Sequence, residues 1–155
     1  MELENILSKD CVVPCAHVSS KRQLLQLASE RAAEKTGLPA HEIFDTLVDR
    51  EKCGTTGLGK GIAVPHGRLK GLDKLTGLFF RLDEPIDFDA LDDQPVDLAF
   101  VLLAPLGAGA DHLKALSRIA RAMRADGFVS ELRATRDTDR LYDLLSRQDP
   151  AHSAA

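Results

Sequence analysis

The sequence predicts a single α/β domain, a mixed β-sheet flanked by helices on both faces, and three observations carry that expectation. The run Leu98 to Ala104 is apolar for seven residues without alternation, the pattern of a central strand covered on both sides. Two shorter apolar runs, Gly61 to Val64 and Leu75 to Leu82, are bounded by Gly, Pro or Asp and are too short for independent helices. Around them lie segments whose apolar residues recur every three or four positions and therefore need a surface to cover.

Leu3, Ile6 and Leu7, then Cys11-Val12-Val13 and the breaker Pro14, read as a turn of helix followed by an extended piece. Ser20 and Gln23 match a Ser-x-x-Gln capping box, after which Leu24, Leu27, Ala28 and Ala32 share one face until Gly37 closes the helix. After Pro39, a stripe of Ile43, Phe44, Leu47 and Val48 marks a second amphipathic helix running into Arg50. The three strands follow, the last spanning Val96 to Ala104. Beyond Gly107-Ala108-Gly109 a third helix is expected to begin near Asp111 or His112, to carry Leu113, Leu116, Ile119, Ala120 and Met123, and to stop near Gly127. Phe128 to Ala134 and Thr138 to Leu145 give two shorter helices. The domain is expected to span residues 1–148, leaving 149–155, which opens Asp-Pro and contains His152, as a flexible tail.

Composition narrows the function classes. Of 155 residues, 44% are hydrophobic and 28% charged, enough for a core and for solubility, which excludes global disorder. Twenty basic against 24 acidic residues give a net charge of −4, so no broad basic surface is offered to nucleic acid. No apolar run approaches the roughly 20 residues of a membrane span, and the acidic start lacks the features of a signal peptide, so no membrane insertion is expected. Three cysteines, Cys11, Cys15 and Cys53, are an odd number that suits a reducing compartment, and the expected location is the cytoplasm.

The chemistry concentrates in Gly54 to Gly67, which holds five of the eleven glycines. Such clustering suggests backbone N–H groups bared to an anion, although a long turn would use the same residues. Gly54 to Lys60 reads Gly-x-x-x-x-Gly-Lys, but Gly61 stands where a P-loop needs Ser or Thr, and a helix rather than a strand precedes it. Gly57-x-Gly59-x-x-Ile62 fails as a dinucleotide fingerprint on similar grounds. His66, between Pro65 and Gly67, sits on a constrained backbone at a strand end, among Arg50, Lys60 and Arg68. A neutral imidazole fixed in this way can attack phosphorus and later leave, while a hydrogen-bonded structural histidine is the plainer alternative. His112, at the start of the third helix, suits a second phosphate ligand or a surface first-turn residue. Cys11, Cys15 and His17 lack a fourth ligand at any zinc spacing, so no metal is assigned; His17 and His41 read as surface residues.

The segment from Arg50 to Arg68, Arg-Glu-Lys-Cys-Gly-Thr-Thr-Gly-Leu-Gly-Lys-Gly-Ile-Ala-Val-Pro-His-Gly-Arg, resembles the enzyme IIA component of the bacterial phosphoenolpyruvate-dependent phosphotransferase system, mannitol/fructose type. Together with Asp93-Gln94-Pro95-Val96-Asp97-Leu98 it is most similar to the nitrogen-regulatory branch, over essentially Leu3 to Leu145. The resemblance implies a mixed sheet flanked by helices, His66 as phosphoryl acceptor, His112 as an orienting group, Arg50 as the neutralising cation, and Thr55, Thr56, Gly57 and Gly59 as a phosphate-binding loop. Thr55 stands where the family has serine, which keeps the hydroxyl. It also implies an HPr-like phosphocarrier as donor, regulatory targets such as sensor kinases or potassium-transport regulators, and no cofactor. A sugar-specific enzyme IIA that passes phosphate to a IIB cysteine is the alternative within the family. A phosphate-switched interaction protein and a metal-dependent hydrolase using His66 and His112 are the alternatives outside it, the last disfavoured because no carboxylate lies at a metal-motif spacing.

Overall fold

The computed structural model describes residues 3–147, so the tail and His152 lie outside the described residues. After a 3-10 turn at Leu3–Asn5 the elements are β1 (Leu7–Ala16), α1 (Lys21–Thr36), α2 (Ala40–Lys52), β2 (Gly57–Gly59), β3 (Ile62–Ala63), β4 (His66–Leu69), β5 (Thr76–Ile86), β6 (Val96–Pro105), α3 (Ala110–Ala122), α4 (Asp126–Ala134) and α5 (Thr138–Ser146). The strands form one mixed sheet in the order β1-β5-β6-β3-β2, with β4 continuing beyond β3 along β6. β5 runs antiparallel to β6, while β1 runs parallel to β5, and β3 and β4 run parallel to β6. Every residue of β6 from Leu98 to Ala104 is buried, as its unbroken apolar sequence requires. Phe79 and Phe100, partners across β5 and β6, meet edge to face with ring centroids 6.3 Å apart.

Local chemistry explains the boundaries. The Ser20 hydroxyl accepts from the Gln23 amide at 3.1 Å and caps α1, but the Gln23 side chain returns to the Ser19 amide and hydroxyl rather than to Ser20. Gly37, at φ 77°, closes the helix in the left-handed conformation. Pro14, expected to break the chain, lies within β1. That strand is an edge, where a missing N–H is tolerated; the register shifts between Val13 and Ala16, and the Pro14 carbonyl accepts from Arg81 Nη1 at 3.3 Å. The third helix ends at Ala122, earlier than the expected stop at Gly127, which instead sits in the first turn of α4.

Two strands, β2 and β4, go beyond the apolar runs expected as strands, whereas β3 falls within the expected run Gly61 to Val64. β2 and β3 make a small antiparallel hairpin out of the glycine-rich stretch. β4 begins at His66 and pairs His66 to Leu102 and Arg68 to Ala104. His66 therefore starts a strand that is hydrogen-bonded to the most buried strand of the sheet, and residues 66 and 68 project on the same side of it. The α2 helix packs against β4, which brings the end of α2 to the start of that strand.

Candidate functional site

His66 is half-buried, and both of its ring nitrogens are engaged. Its Nδ1 lies 2.8 Å from the Val64 carbonyl oxygen, which can only accept, so the proton is on Nδ1. Its Nε2 therefore carries the lone pair, and Arg50 Nε–H donates to it at 3.2 Å. The tautomer follows from the partners, since a guanidinium has no acceptor and a carbonyl no donor. Burial pushes the imidazole pKa below its ordinary 6.5, with the Arg50 charge acting in the same direction; the hydrogen bond to Val64 and the charge of Glu51 oppose it. His66 is a neutral base at neutral pH.

Arg50 reaches this position because it lies in the last turn of α2, and its Nη1 donates to the Gly54 carbonyl at 2.9 Å. The segment beyond Gly54 is held by a residue that the sequence left without a role. Glu51, whose side chain is only 6% exposed, pairs with Lys21 Nζ at 2.6 Å, accepts from the Thr56 amide at 3.2 Å and from the Thr56 hydroxyl. Lys21 also lies over the Phe88 ring. The Thr55 hydroxyl donates to the Phe88 carbonyl at 2.9 Å and accepts from the Gly57 amide at 3.1 Å. A side chain on Gly57 would meet Ala90 Cβ at 2.9 Å, so the loop packs closely there. Gly59 lies across the hairpin from Ile62. The hydroxyls of Thr55 and Thr56 and the amides of Thr56 and Gly57 are thus engaged within the fold.

His112 is the third residue of α3 and is 5% exposed, which separates it from an ordinary surface residue of a first helical turn. Its ring stands edge-on to that of His66, with centroids 5.7 Å apart and planes inclined at 71°. Fold topology brings together two histidines that are separated by 46 positions − 66 to 112 − in the chain. Arg68 Nε–H donates to His112 Nδ1 at 3.1 Å. Burial again lowers the histidine's pKa, followed by the influence of His66 and Arg68. Arg50, His66, Arg68 and His112 are thus linked by direct contacts, while Thr55 to Gly59 reach them through Glu51 and Gly54. Leu113, beside His112, and Leu106, just past β6, are 63% and 57% exposed.

His17 is exposed and pairs with Asp83 at 2.9 Å, His41 is exposed, Cys11 is buried, and Cys15 and Cys53 are exposed, all three as free thiols. Among the described residues no helix is long and apolar enough to cross a membrane.

The profile of the family described as phosphoenolpyruvate-dependent sugar phosphotransferase system, EIIA 2, matches residues 5–148. The chain belongs to this family. A nitrogen regulatory protein of Bradyrhizobium diazoefficiens is 50% identical over 94% of this chain and 95% of that protein. The crystal structure of the nitrogen regulatory protein IIA-Ntr from Neisseria meningitidis superimposes with a TM-score of 0.87 at 36% identity, covering 91% of this chain and 97% of that one. The IIA mannitol protein of Escherichia coli shares the fold, with a TM-score of 0.75 at 22% identity over 89% of this chain and 97% of that one. The chain is thus an EIIA 2 domain with nitrogen-regulatory relatives, and its sheet and helices have the architecture of both structures.

Proposed function

We propose that this protein is a phosphocarrier and regulator of the nitrogen-type phosphotransferase system, taking a phosphoryl group onto Nε2 of His66 from the phosphohistidine of an HPr-like carrier. The observation that carries this reading is the tautomer of His66: the Val64 carbonyl holds the proton on Nδ1 and leaves the Nε2 lone pair beside Arg50. That lone pair attacks phosphorus in line as the bond to the carrier's nitrogen breaks, and the bonding pair returns to the carrier's imidazole. No proton has to be removed from His66, because its depressed pKa already keeps it neutral.

In this scheme Arg50 moves from Nε2 to the equatorial oxygens, neutralising charge where the phosphoryl group arrives. The bond from its Nη1 to Gly54 is the natural pivot. His112 meets the group from the side, and the Thr55 to Gly59 loop contributes the surroundings that keep Arg50 in reach. Phosphorylation adds about −1.5 to −2 of charge beside His112, whose chain neighbour Leu113 is exposed. The two states therefore present different surfaces, which supports a regulatory role towards partner proteins.

Reconstitution tests the reading: purified protein, an HPr-like carrier, enzyme I and labelled phosphoenolpyruvate. Acid-labile, base-stable label lost in His66→Ala is expected. Label that persists in His66→Ala would overturn the assignment.

A further inference from the structure

We infer that Arg68 is a positioning residue for phosphoryl transfer, holding His112 in the tautomer that carries its proton on Nε2. This rests on the reading that His66 accepts the phosphoryl group. The guanidinium of Arg68 can only donate, so its Nε–H bond of 3.1 Å to His112 Nδ1 requires a lone pair on that atom. The neutral ring then has its N–H on Nε2. That atom is buried and has no hydrogen-bond partner among the described residues. A buried donor without a partner is unfavourable, and a phosphoryl oxygen on the neighbouring His66 ring, whose centroid is 5.7 Å away, is an acceptor that would satisfy it.

The two histidines are set in opposite senses. His66 has its proton on Nδ1 and its lone pair on Nε2 through Val64 and Arg50; His112 has its lone pair on Nδ1 through Arg68. One ring thereby offers the attacking lone pair and the other an N–H for the group that arrives. Strand β4 links both functions. His66 and Arg68 are two residues apart on it, opposite Leu102 and Ala104, and so project on the same side. Arg68 does not touch the reacting atoms in this arrangement; it acts through His112.

Two substitutions separate the hydrogen bond from the charge. Arg68→Met keeps the side chain out to the position of arginine Nε but has no donor. Arg68→Gln puts an N–H at the same place along the side chain as arginine Nε, without the charge. The readouts are long-range proton–nitrogen correlation spectra of the histidine rings in the unphosphorylated full chain, and transfer from the phosphorylated carrier as a function of its concentration. The wild-type protein should show His112 as the Nε2–H tautomer. Arg68→Met should mix or invert that tautomer, leave the His66 tautomer intact, and lower the maximal rate by about tenfold to a hundredfold, with a smaller change in half-saturating carrier concentration. Arg68→Gln should restore the tautomer and most of the rate. An Nδ1–H tautomer for His112 in the wild-type protein, or an Arg68→Met protein with wild-type tautomer and maximal rate, would overturn the inference. So would an Arg68→Gln protein that regains the tautomer but stays as slow as Arg68→Met. Absence of transfer to wild-type His66 would overturn the functional reading and this role with it, whereas a changed tautomer with an unchanged rate would overturn the role of Arg68 alone.

Discussion

Gly67→Ala probes how the fold delivers Arg50 to His66 without touching either side chain. Gly67 does not have a positive φ, so alanine fits the backbone and the effect is steric. Its Cβ would lie 2.6 Å from Cγ2 of Thr46, about 1 Å inside ordinary carbon contact. Thr46 is β-branched and on a helix, where its side chain has few alternative rotamers, so part of the clash must be relieved by separating α2 from β4. Arg50 lies one turn further along α2 and would move with it, stretching the 3.2 Å contact to His66 Nε2. Overpacking of this kind should cost ~1–3 kcal/mol in urea unfolding, and a displacement approaching 1 Å should slow transfer by up to about a hundredfold. Thr46→Ser removes Cγ2 and keeps the hydroxyl, so the double variant should recover most of both losses. A Gly67→Ala protein as stable and as fast as wild type would refute the reasoning, as would a double variant no better than the single one.

The ion pair beneath the loop and the two depressed histidines give further expectations. Lys21→Met leaves the Glu51 carboxylate, 6% exposed, without its cation; breaking such a pair should cost ~3–5 kcal/mol in urea unfolding, and Lys21→Arg should lose much less. His66 and His112 both have pKa values below 6.5 in the folded protein, so the unfolded chain binds protons more readily than the folded one. Their contribution to stability is complete above about pH 6.5 and is lost as pH falls towards the folded values, with a slope of up to about 1.4 kcal/mol per pH unit for each histidine. Unfolding curves between pH 7.5 and 5 should therefore fall more steeply for wild type than for a His66→Gln, His112→Gln double variant; parallel curves would count against the pKa directions.

Much of the fold was legible because its signals are local. The capping pattern at Ser20, the stripe of Ile43, Phe44, Leu47 and Val48, and the apolar run of β6 each arise within one segment. β2 and β4 were not, because they are three and four residues long, rich in glycine, and owe their strand conformation to pairing with β3 and β6. Gly127 was misleading in the same way: a glycine often follows a helix, but here the chain has already turned at Ala122 and starts α4. Pro14 reads as a breaker only when it is unknown that β1 is an edge.

The site divides similarly. His66 stands out through Pro65 and Gly67, and its motif carried the family resemblance. The approach of His112 to His66 is a property of β4 and α3 packed on β6, which no spacing reveals. Arg68 could be seen as a nearby cation, but its bond to His112 depends on β4 being a strand. Glu51 lay in plain view beside Arg50, yet only its burial against Lys21 and Thr56 shows that it anchors the loop. Both Thr55 and Thr56 were visible as hydroxyls, whereas their partners Phe88 and Glu51 were not.

Transfer to Nε2 of His66 is tested most directly by nitrogen and phosphorus resonance of the phosphorylated protein with labelled histidine rings. The account predicts a single phosphohistidine whose phosphorus couples to Nε2 of His66, with Nδ1 still protonated against the Val64 carbonyl. Phosphorus on Nδ1, or on His112 in a protein whose His66 is unmodified, would contradict it.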